Sequence, residues 1–169
     1  YTVKRVKPRP DGNFAPSDFI SAVDEDTVML TFMMVNNELG SILPYETMIP
    51  ALRRKYPKLL IHMDAVQGFT KFPLNVRKID ADLISFSGHK LYAPKGIGGL
   101  YVKKGVRIEP VIHGGSQERT LRSGTQAVPL IAAFDEALKL CRDEGTKFTE
   151  TYRFCNNYLR EAFQNMPEV

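Results

Sequence analysis

Residues 27–35 form an almost unbroken apolar run, with the sequence TVMLTFMMV. Its apolar residues follow one another instead of alternating with polar ones, and several are β-branched. A strand that is apolar on both faces is typical of a parallel sheet that is covered on both sides. The run therefore predicts a buried parallel strand, and it constrains the chain around it to an α/β architecture.

The segments that follow this run alternate between helical and strand patterns. Residues 45–55 carry apolar side chains at helical spacing, and Pro57 ends the predicted helix. Residues 59–63 and 83–86 are two more short apolar runs, and each predicts a buried strand. Because strands and helices alternate, we predict an α/β fold with a mostly parallel mixed sheet flanked by helices. Such sheets bind ligands at the carboxyl ends of their strands.

The two ends of the chain carry weaker patterns. Residues 1–6 alternate between apolar and polar side chains and predict a first strand. A short helix is predicted over residues 17–23, with Ser17 as its N-cap. Apolar residues at helical spacing predict a further helix that starts at Pro129, a break at Gly145 and a second helix beyond the break.

The composition is that of an ordinary soluble domain. The 169 residues are 43% hydrophobic and 25% charged, which is typical of a globular protein. The net charge is +4 and the pI about 9.1, but the basic residues are scattered. Scattered charges favour a solvated surface, so we predict no nucleic-acid partner. No apolar run reaches the roughly 18 residues of a membrane span, and we predict no membrane association.

Two features bear on the cell compartment and on the extent of the chain. Cys141 and Cys155 lie in helical patterns without CxxC spacing, which predicts free thiols in a reducing, cytoplasmic compartment. The chain shows no signal peptide, and it begins at Tyr1 without an initiator methionine. We therefore expect it to be a fragment of a longer protein.

The chemically richest stretch is residues 85–101, with the sequence SFSGHKLYAPKGIGGLY. A turn after the predicted strand holds Ser87, His89 and Lys90 together, and a glycine-rich segment that can bend tightly follows it. A hydroxyl, an imidazole and an amine at a strand end suit an anion and a carbonyl compound, because a deprotonated lysine can form a Schiff base. A single Ser-x-x-Lys pattern more often marks a polar surface turn, so the other strand ends decide the interpretation.

Polar residues also follow the other predicted strands. Asn37 follows the first strand, and Asp64 and Gln67 follow the second. Since the carboxyl ends of parallel strands meet at one sheet edge, we expect these side chains to lie near Lys90. Together they are the groups that hold pyridoxal phosphate, with Lys90 bonded to the cofactor and Asp64 keeping its pyridine nitrogen protonated. Gln67 and Asn37 would bind the ring hydroxyl, while the serine and histidine beside Lys90 would bind the phosphate.

Four segments carry a resemblance to one enzyme family. They are residues 35–40 (VNNELG), 62–67 (HMDAVQ), 85–90 (SFSGHK) with 94–98 (PKGIG), and 114–125 (GGSQERTLRSGT). With these motifs in this order, the sequence resembles the cysteine desulfurases and selenocysteine lyases. This group is part of the class V aminotransferase branch of the fold-type I pyridoxal-phosphate enzymes. The resemblance covers nearly the whole chain.

The resemblance implies a domain organisation and roles for the site residues. Residues 1–140 would be the central and C-terminal part of the large pyridoxal-phosphate-binding domain, of the aspartate aminotransferase type. Residues 141–169 would be a helical segment that leads into a small domain outside this chain. Lys90 would be the catalytic, cofactor-binding lysine, and Ser87 and His89 would hold the phosphate.

The resemblance also implies an activity and an assembly. The enzyme would be a pyridoxal-phosphate-dependent cysteine desulfurase that converts L-cysteine to L-alanine and passes the sulfur to an enzyme cysteine as a persulfide, for iron–sulfur cluster biosynthesis or another sulfur-acceptor protein. Thr125 resembles the family residue that reaches the phosphate of the neighbouring subunit, which implies a homodimer. Neither Cys141 nor Cys155 matches the catalytic cysteine, so we expect this piece alone to be inactive.

Other interpretations of the same residues stay open. A selenocysteine lyase, another class V lyase or aminotransferase, or a non-catalytic dimerising scaffold would show the same motifs. Asp64 can be an ordinary helix N-cap. His62 and Asp64 share a strand face and suggest a metal pair, but three histidines and no cysteine cluster make this the weaker interpretation. Arg119 and Arg122 suit either interface ion pairs or a substrate entrance.

Overall fold

The computed structural model describes residues 1–164 and residue 166. Within these residues the helices and strands, in chain order, are α1 (Pro16–Ile20), β1 (Met29–Met33), α2 (Tyr45–Lys55), β2 (Leu60–Asp64), α3 (Val76–Ile79), β3 (Leu83–Ser87), β4 (Gly98–Val102) and α4 (Val128–Gln164). Two short 3₁₀ turns, Gly88–Leu91 and Glu118–Thr120, lie after β3 and before α4.

The four strands form one sheet in the order β1-β2-β3-β4. β1, β2 and β3 run parallel, whereas β4 is antiparallel to β3. The register places Met33 beside Asp64, and Asp64 beside Ser85. The predicted mostly parallel mixed sheet is therefore confirmed, and the carboxyl ends of three strands share one edge.

The hydrophobic core lies between the sheet and α2. Met48, Ile49 and Leu52 of α2 are fully buried, and so are Ile61 and Met63 of β2. These helix residues recur at the spacing of one helical face, which is why the sequence already showed the helix. Burying a side chain of this size stabilises the fold by about 1.5–3 kcal/mol, so this interface anchors α2 to the sheet.

The opposite face of the sheet is more accessible. It carries Thr31, His62, Asp64, Ser85 and Leu100, and we call it the open face. Leu100 is 48% exposed, and the other four side chains are exposed or half-buried. The expectation that β1 is covered on both faces is therefore wrong for the described part of the chain. Its outer residues are apolar or hydroxyl-bearing, and a sequence run cannot show which face has a neighbour.

The predicted N-terminal strand is also wrong. Residues 1–6 carry apolar residues among polar ones as a strand can, but they pair with no other strand in the described chain and are mostly exposed. α1 is shorter than predicted, and its N-cap is Ala15 rather than Ser17. Pro16 fits the first helical position because its missing N–H would have no partner there. The Asp18 carboxylate accepts the Ala15 N–H at 2.7 Å.

The helix predicted over residues 45–55 is confirmed with those bounds. The break predicted at Gly145 is wrong, because α4 runs through it as one helix of 37 residues. Glycine inside a helix costs only about 1 kcal/mol relative to alanine, and the Thr149 hydroxyl donates to the Gly145 carbonyl at 2.9 Å. Neither α4 nor any other helix of the described residues is both long and apolar enough to cross a membrane. The division into residues 1–140 and 141–169 stays a prediction.

A buried ion-pair cluster lies at the amino-terminal edge of the parallel strands. Asp82, which is 6% exposed, accepts the Ile61 N–H at 2.8 Å and pairs with the Arg53 guanidinium. Arg53 also donates to the Leu59 carbonyl at 2.5 Å and to the Asp80 carbonyl at 3.1 Å. This Arg53–Asp82 cluster ties α2 to the starts of β2 and β3, at the edge opposite the predicted site.

Candidate functional site

The carboxyl edge of the sheet gathers the ends of three parallel strands. β2 ends at Asp64 and β3 ends at Ser87. After β1, the Met34 N–H donates to the Asp64 carbonyl at 2.7 Å, and the chain then turns within residues 36–40. The strand ends that the sequence predicted to meet at one edge therefore do meet there.

Asp64 is half-buried at the end of β2. Its Oδ1 accepts the Val66 N–H at 2.9 Å, which caps the turn that follows the strand. Its Oδ2 makes no hydrogen bond to any described residue. One oxygen of the carboxylate therefore accepts a backbone N–H as an N-cap residue does. The second oxygen is available to a ligand at the carboxyl edge.

Ser87, His89 and Lys90 lie on the turn of residues 87–92, which we call the Lys90 turn. The Ser87 Oγ and the His89 Nδ1 are 2.7 Å apart and share a hydrogen bond. His89 and Lys90 are exposed, whereas Leu91 is buried and anchors the turn. A hydroxyl, an imidazole and a primary amine are thus presented together, and the first two are already mutually oriented.

Gly88 allows the Lys90 turn to sit close to the segment before β4. A Cβ added at Gly88 would lie 2.9 Å from Ile97 Cγ2, 3.1 Å from the Ile97 carbonyl oxygen and 3.2 Å from Phe134 Cδ2. The Gly88 N–H donates to the Ile97 carbonyl at 2.9 Å. Only glycine fits this close approach without displacing a neighbour.

α4 packs along the Lys90 turn and the end of β3. The Phe134 and Phe86 rings stack with centroids 6.1 Å apart, and the Tyr92 and Phe148 rings lie 6.3 Å apart. The Tyr92 and Tyr152 hydroxyls are 3.0 Å apart, and this hydrogen bond raises the pKa of Tyr152. The cavity between the turn and α4 measures about 20 Å³, which is too small for a substrate.

The turn after β1 is fixed by Asn36, a residue outside the predicted site. Its Oδ1 accepts the Glu38 N–H at 2.9 Å and the Leu39 N–H at 2.8 Å. Asn followed by such a turn is a recognisable sequence signal, because its side chain bonds the backbone two residues on. The turn leaves Asn37 exposed, and its amide makes no hydrogen bond to the described residues.

Gln67 and Thr125 differ in their relation to the Lys90 turn. Gln67 is half-buried in the turn that follows β2, beside the predicted carboxylate. Thr125 is exposed in the loop between β4 and α4, where the buried Ser123 hydroxyl donates to the Ile112 carbonyl at 2.9 Å. Within the described residues, no hydrogen bond joins Thr125 to the Lys90 turn. The other predicted residues follow the ends of β1, β2 and β3 at the carboxyl edge, whereas Thr125 lies in a loop after β4.

A pair of hydrogen bonds beneath Asp64 escaped prediction. The His62 Nδ1 lies 2.7 Å from Thr31 Oγ1, and its Nε2 lies 3.1 Å from Ser85 Oγ. The sequence placed His62 on the same face as Asp64, but that pattern suited a metal pair equally well. Across residues 1–164 and 166, no three His, Cys, Asp or Glu side chains come together as metal ligands.

Known proteins resemble this chain along its whole length. The profile of the family described as Aminotransferase class-V matches residues 1–169. Cysteine desulfurase IscS of Plasmodium falciparum is 40% identical over 164 residues, which are 95% of this chain and 29% of that protein. The mitochondrial cysteine desulfurase of Candida maltosa is 46% identical over 154 residues, which are 90% of this chain and 31% of that protein. The chain thus spans less than one third of the length of these relatives.

Solved structures show the same fold. A NifS-like protein superposes with a TM-score of 0.93 at 38% identity, over 99% of this chain and 46% of that one. The structure of SspA in complex with cysteine has a TM-score of 0.74 at 37% identity, over 78% of this chain and 38% of that one. The predicted fold class and the predicted resemblance to cysteine desulfurases are confirmed. Because the family profile extends over every residue, the chain belongs to the class-V aminotransferase family.

Proposed function

We propose that this chain is the central part of a pyridoxal-phosphate-dependent cysteine desulfurase in which Lys90 is the cofactor lysine. One observation carries the proposal. The Ser87 hydroxyl and the His89 imidazole are joined at 2.7 Å on the exposed turn that presents Lys90. That turn stands at the carboxyl edge of a parallel sheet, where α/β proteins bind ligands. The names of the relatives support the reaction.

The side chains at this edge fit pyridoxal phosphate in their chemistry. A hydroxyl and an imidazole can both donate hydrogen bonds to a phosphate group. The second oxygen of the half-buried Asp64 suits a protonated ring nitrogen, since an opposite charge favours the protonated form. The exposed Lys90 amine suits the aldehyde. Each part of the cofactor named here is thus matched by a polar or charged side chain.

Each residue then has a role in the reaction. Asp64 would hold a proton on the ring nitrogen, and the Asn37 and Gln67 amides would orient the ring through its hydroxyl. When bound, pyridoxal phosphate supplies an electron sink for the substrate α-carbon. The free Lys90 amine would accept the proton from that carbon and return a proton to it, because an uncharged amine can act as a base and then as an acid.

The proposed substrate is L-cysteine and the proposed product is L-alanine. The sulfur would pass to an enzyme thiolate as a persulfide, and from there to an acceptor protein such as one that builds iron–sulfur clusters. The SspA structure, described as a complex with cysteine, supports an amino-acid substrate. Cys141 and Cys155 lie within α4, so neither is proposed as that thiolate. The cytoplasmic location stays a prediction, since the Candida maltosa relative is named a mitochondrial enzyme.

The proposed homodimer has support in the loop before α4. Glu118, Arg119 and Thr120 all have positive φ angles, of 48°, 56° and 68°. Three successive left-handed residues store about 1–2 kcal/mol each, and such strain persists where surrounding contacts hold it. We propose that a second copy supplies those contacts and that Thr125 reaches the phosphate held by the partner's Lys90 turn. A structure of the loaded protein with Thr125 far from any phosphate would refute this arrangement.

Borohydride reduction of the purified full-length protein tests the cofactor assignment. The protein should be yellow, and after reduction a pyridoxyl group should map to Lys90. Lys90→Ala should abolish the labelling, whereas Lys95→Ala is the matched control, because Lys95 lies five residues further along the same loop. A pyridoxyl group on Lys95 or Lys103 would overturn the assignment. A colourless, unlabelled protein would favour the non-catalytic scaffold.

A further inference from the structure

One face of α4 lies against the Lys90 turn. The small cavity between the two segments is lined by α4 residues that recur at the spacing of one helical face, namely Cys141, Gly145, Phe148 and Tyr152. Residues 90–92 of the Lys90 turn line the same cavity. The predicted cofactor lysine therefore lies beside α4 as well as at the carboxyl edge of the sheet.

Tyr92 makes two contacts with this face of α4. The centroids of its ring and the Phe148 ring are 6.3 Å apart, and its hydroxyl lies 3.0 Å from the Tyr152 hydroxyl. Because Phe148 and Tyr152 are four residues apart, a single turn of α4 supplies both contacts. Although Tyr92 is 76% exposed, its ring and its hydroxyl are thus both held by the helix.

The backbone of Tyr92 has an unfavourable conformation for a tyrosine. Its φ of 65° and ψ of 9° lie in the left-handed region. A helical turn often ends in this conformation, but usually at a glycine, because a Cβ is disfavoured there. Such a conformation persists where surrounding contacts hold it. Leu91 and Ala93 on either side are buried, and the Tyr92 side chain is held by α4.

The two ends of the Lys90 turn are held by different elements. At its start, Ser87 pairs with Gly98 in the register between β3 and β4. The Gly88 N–H then donates to the Ile97 carbonyl at 2.9 Å. This end carries the proposed phosphate-binding pair, and it is fixed by the segment that forms β4. The other end is held by α4, and Lys90 lies between the two anchors.

We propose that Tyr152 is a positioning residue for Lys90, acting through Tyr92. Its hydroxyl holds the Tyr92 side chain, which keeps the end of the turn left-handed and the Lys90 amine in place to meet the cofactor aldehyde. Loss of the hydroxyl loosens that end of the turn, while the phosphate-binding end stays paired with β4. The inference rests on the proposed function, because it gives α4 a part in the same site.

The test compares two ligands of the purified full-length protein. Pyridoxal phosphate can react with the Lys90 amine, whereas pyridoxine phosphate carries a hydroxymethyl group in place of the aldehyde and cannot. Tyr152→Phe removes the hydroxyl and keeps the ring. Tyr158→Phe is the matched control, because it removes a tyrosine hydroxyl from an exposed position of the same helix, where the ring stacks on Phe154. The readouts are the dissociation constant of each ligand and the melting temperature of the ligand-free protein.

A second background tests whether Tyr152 acts through Tyr92. Tyr92→Gly removes both contacts with α4, and glycine adopts the left-handed conformation without strain. The Tyr152 hydroxyl then lacks its partner on the turn. Tyr152→Phe should therefore have no further effect on ligand binding in the Tyr92→Gly background.

In the otherwise unmodified protein the loss should be selective for the aldehyde. Tyr152→Phe should weaken pyridoxal phosphate binding by about threefold, which lies in the range of one neutral hydrogen bond, and should leave pyridoxine phosphate binding within about 1.5-fold. Tyr158→Phe should leave the binding of both ligands within about 1.5-fold.

Three outcomes would overturn the inference. Equal losses for the two ligands that follow the melting temperature would show that Tyr152 only stabilises the fold. Unchanged pyridoxal phosphate affinity in Tyr152→Phe, or the same loss in the Tyr92→Gly background, would show that the hydroxyl does not act through Tyr92. An unmodified protein that binds no pyridoxal phosphate would overturn the proposed function as well, which separates that failure from the first two.

Discussion

Replacing Asp82 by asparagine should destabilise the fold through the Arg53–Asp82 cluster. The Asp82 side chain is only 8% exposed and the Arg53 side chain 15% exposed, so the pair is largely desolvated. Breaking a buried pair by removing one charge typically costs about 3–5 kcal/mol. Asparagine can still accept the Ile61 N–H, and Arg53 keeps the Leu59 and Asp80 carbonyls. We therefore expect a loss of about 2–3 kcal/mol, since part of the hydrogen bonding survives.

Urea unfolding followed by circular dichroism measures this loss in the free energy of unfolding. For a chain of this size the melting temperature should fall by about 4–12 °C. Asp143→Asn is the matched control, because Asp143 pairs with Arg142 on the surface, where the two side chains are 59% and 73% exposed. The control should change stability by less than about 0.5 kcal/mol.

Comparison of Asp82→Asn with Asp143→Asn tests whether the loss of stability depends on burial of the ion pair. A double-mutant cycle with Arg53→Met should show that the combined loss is smaller than the sum of the single losses, because each single variant leaves the partner uncompensated. Equal effects of Asp82→Asn and Asp143→Asn would refute the reasoning, since both remove the same charge and only their burial differs.

Three further predictions concern the site and the surface. In the full-length protein, Asp64→Asn should keep the Val66 cap and the fold but lower the proposed L-cysteine turnover by about a hundredfold or more, as measured by alanine release; near-normal turnover would leave Asp64 only a capping role. Gly88→Ala should cost about 1–3 kcal/mol in urea unfolding because its Cβ meets Ile97, whereas Gly145→Ala, with open space around it, should stabilise; equal effects would contradict this. A hydrogen bond from Lys4 lowers the pKa of Asp24 to about 2, below the roughly 3.9 of an unfolded chain. That stabilisation is complete above about pH 4 and is lost as the pH falls towards 2, so Asp24→Asn should flatten the acid limb of the stability profile.

The sequence predicted those elements whose signals are local. α2 was found with its bounds because its apolar residues recur at helical spacing and Pro57 prevents extension. The predicted N-terminal strand was wrong because alternation shows only that a segment can form a strand. It does not show that a neighbouring strand exists to pair with it. The predicted helix break at Gly145 was wrong because a single glycine costs only about 1 kcal/mol, which the many hydrogen bonds of a long helix outweigh.

In the candidate site, too, the features visible within one segment could be predicted, and those that depend on several segments could not. Asp64 and Ser87 were located because a strand end is visible as a change from apolar to polar residues. The bridge from Thr31 through His62 to Ser85 depends on the register between three strands, which no single segment contains. The proposed role of Thr125 requires a second copy, which one folded chain does not contain.

The length of α4 converts a small rotation into a large displacement. At about 1.5 Å per residue the 37-residue helix extends about 55 Å, so a tilt of about 5° around Phe134 moves Gln164 by about 4 Å and Tyr152 by about 2 Å. A hydrogen bond of 3.0 Å between Tyr92 and Tyr152 does not survive a movement of that size. The presence of this hydrogen bond therefore reports the angle between α4 and the Lys90 turn. Tyr92 ends the Lys90 turn. A tilt of α4 that breaks the Tyr92–Tyr152 hydrogen bond would therefore change the contacts of a residue only two positions from the predicted cofactor lysine.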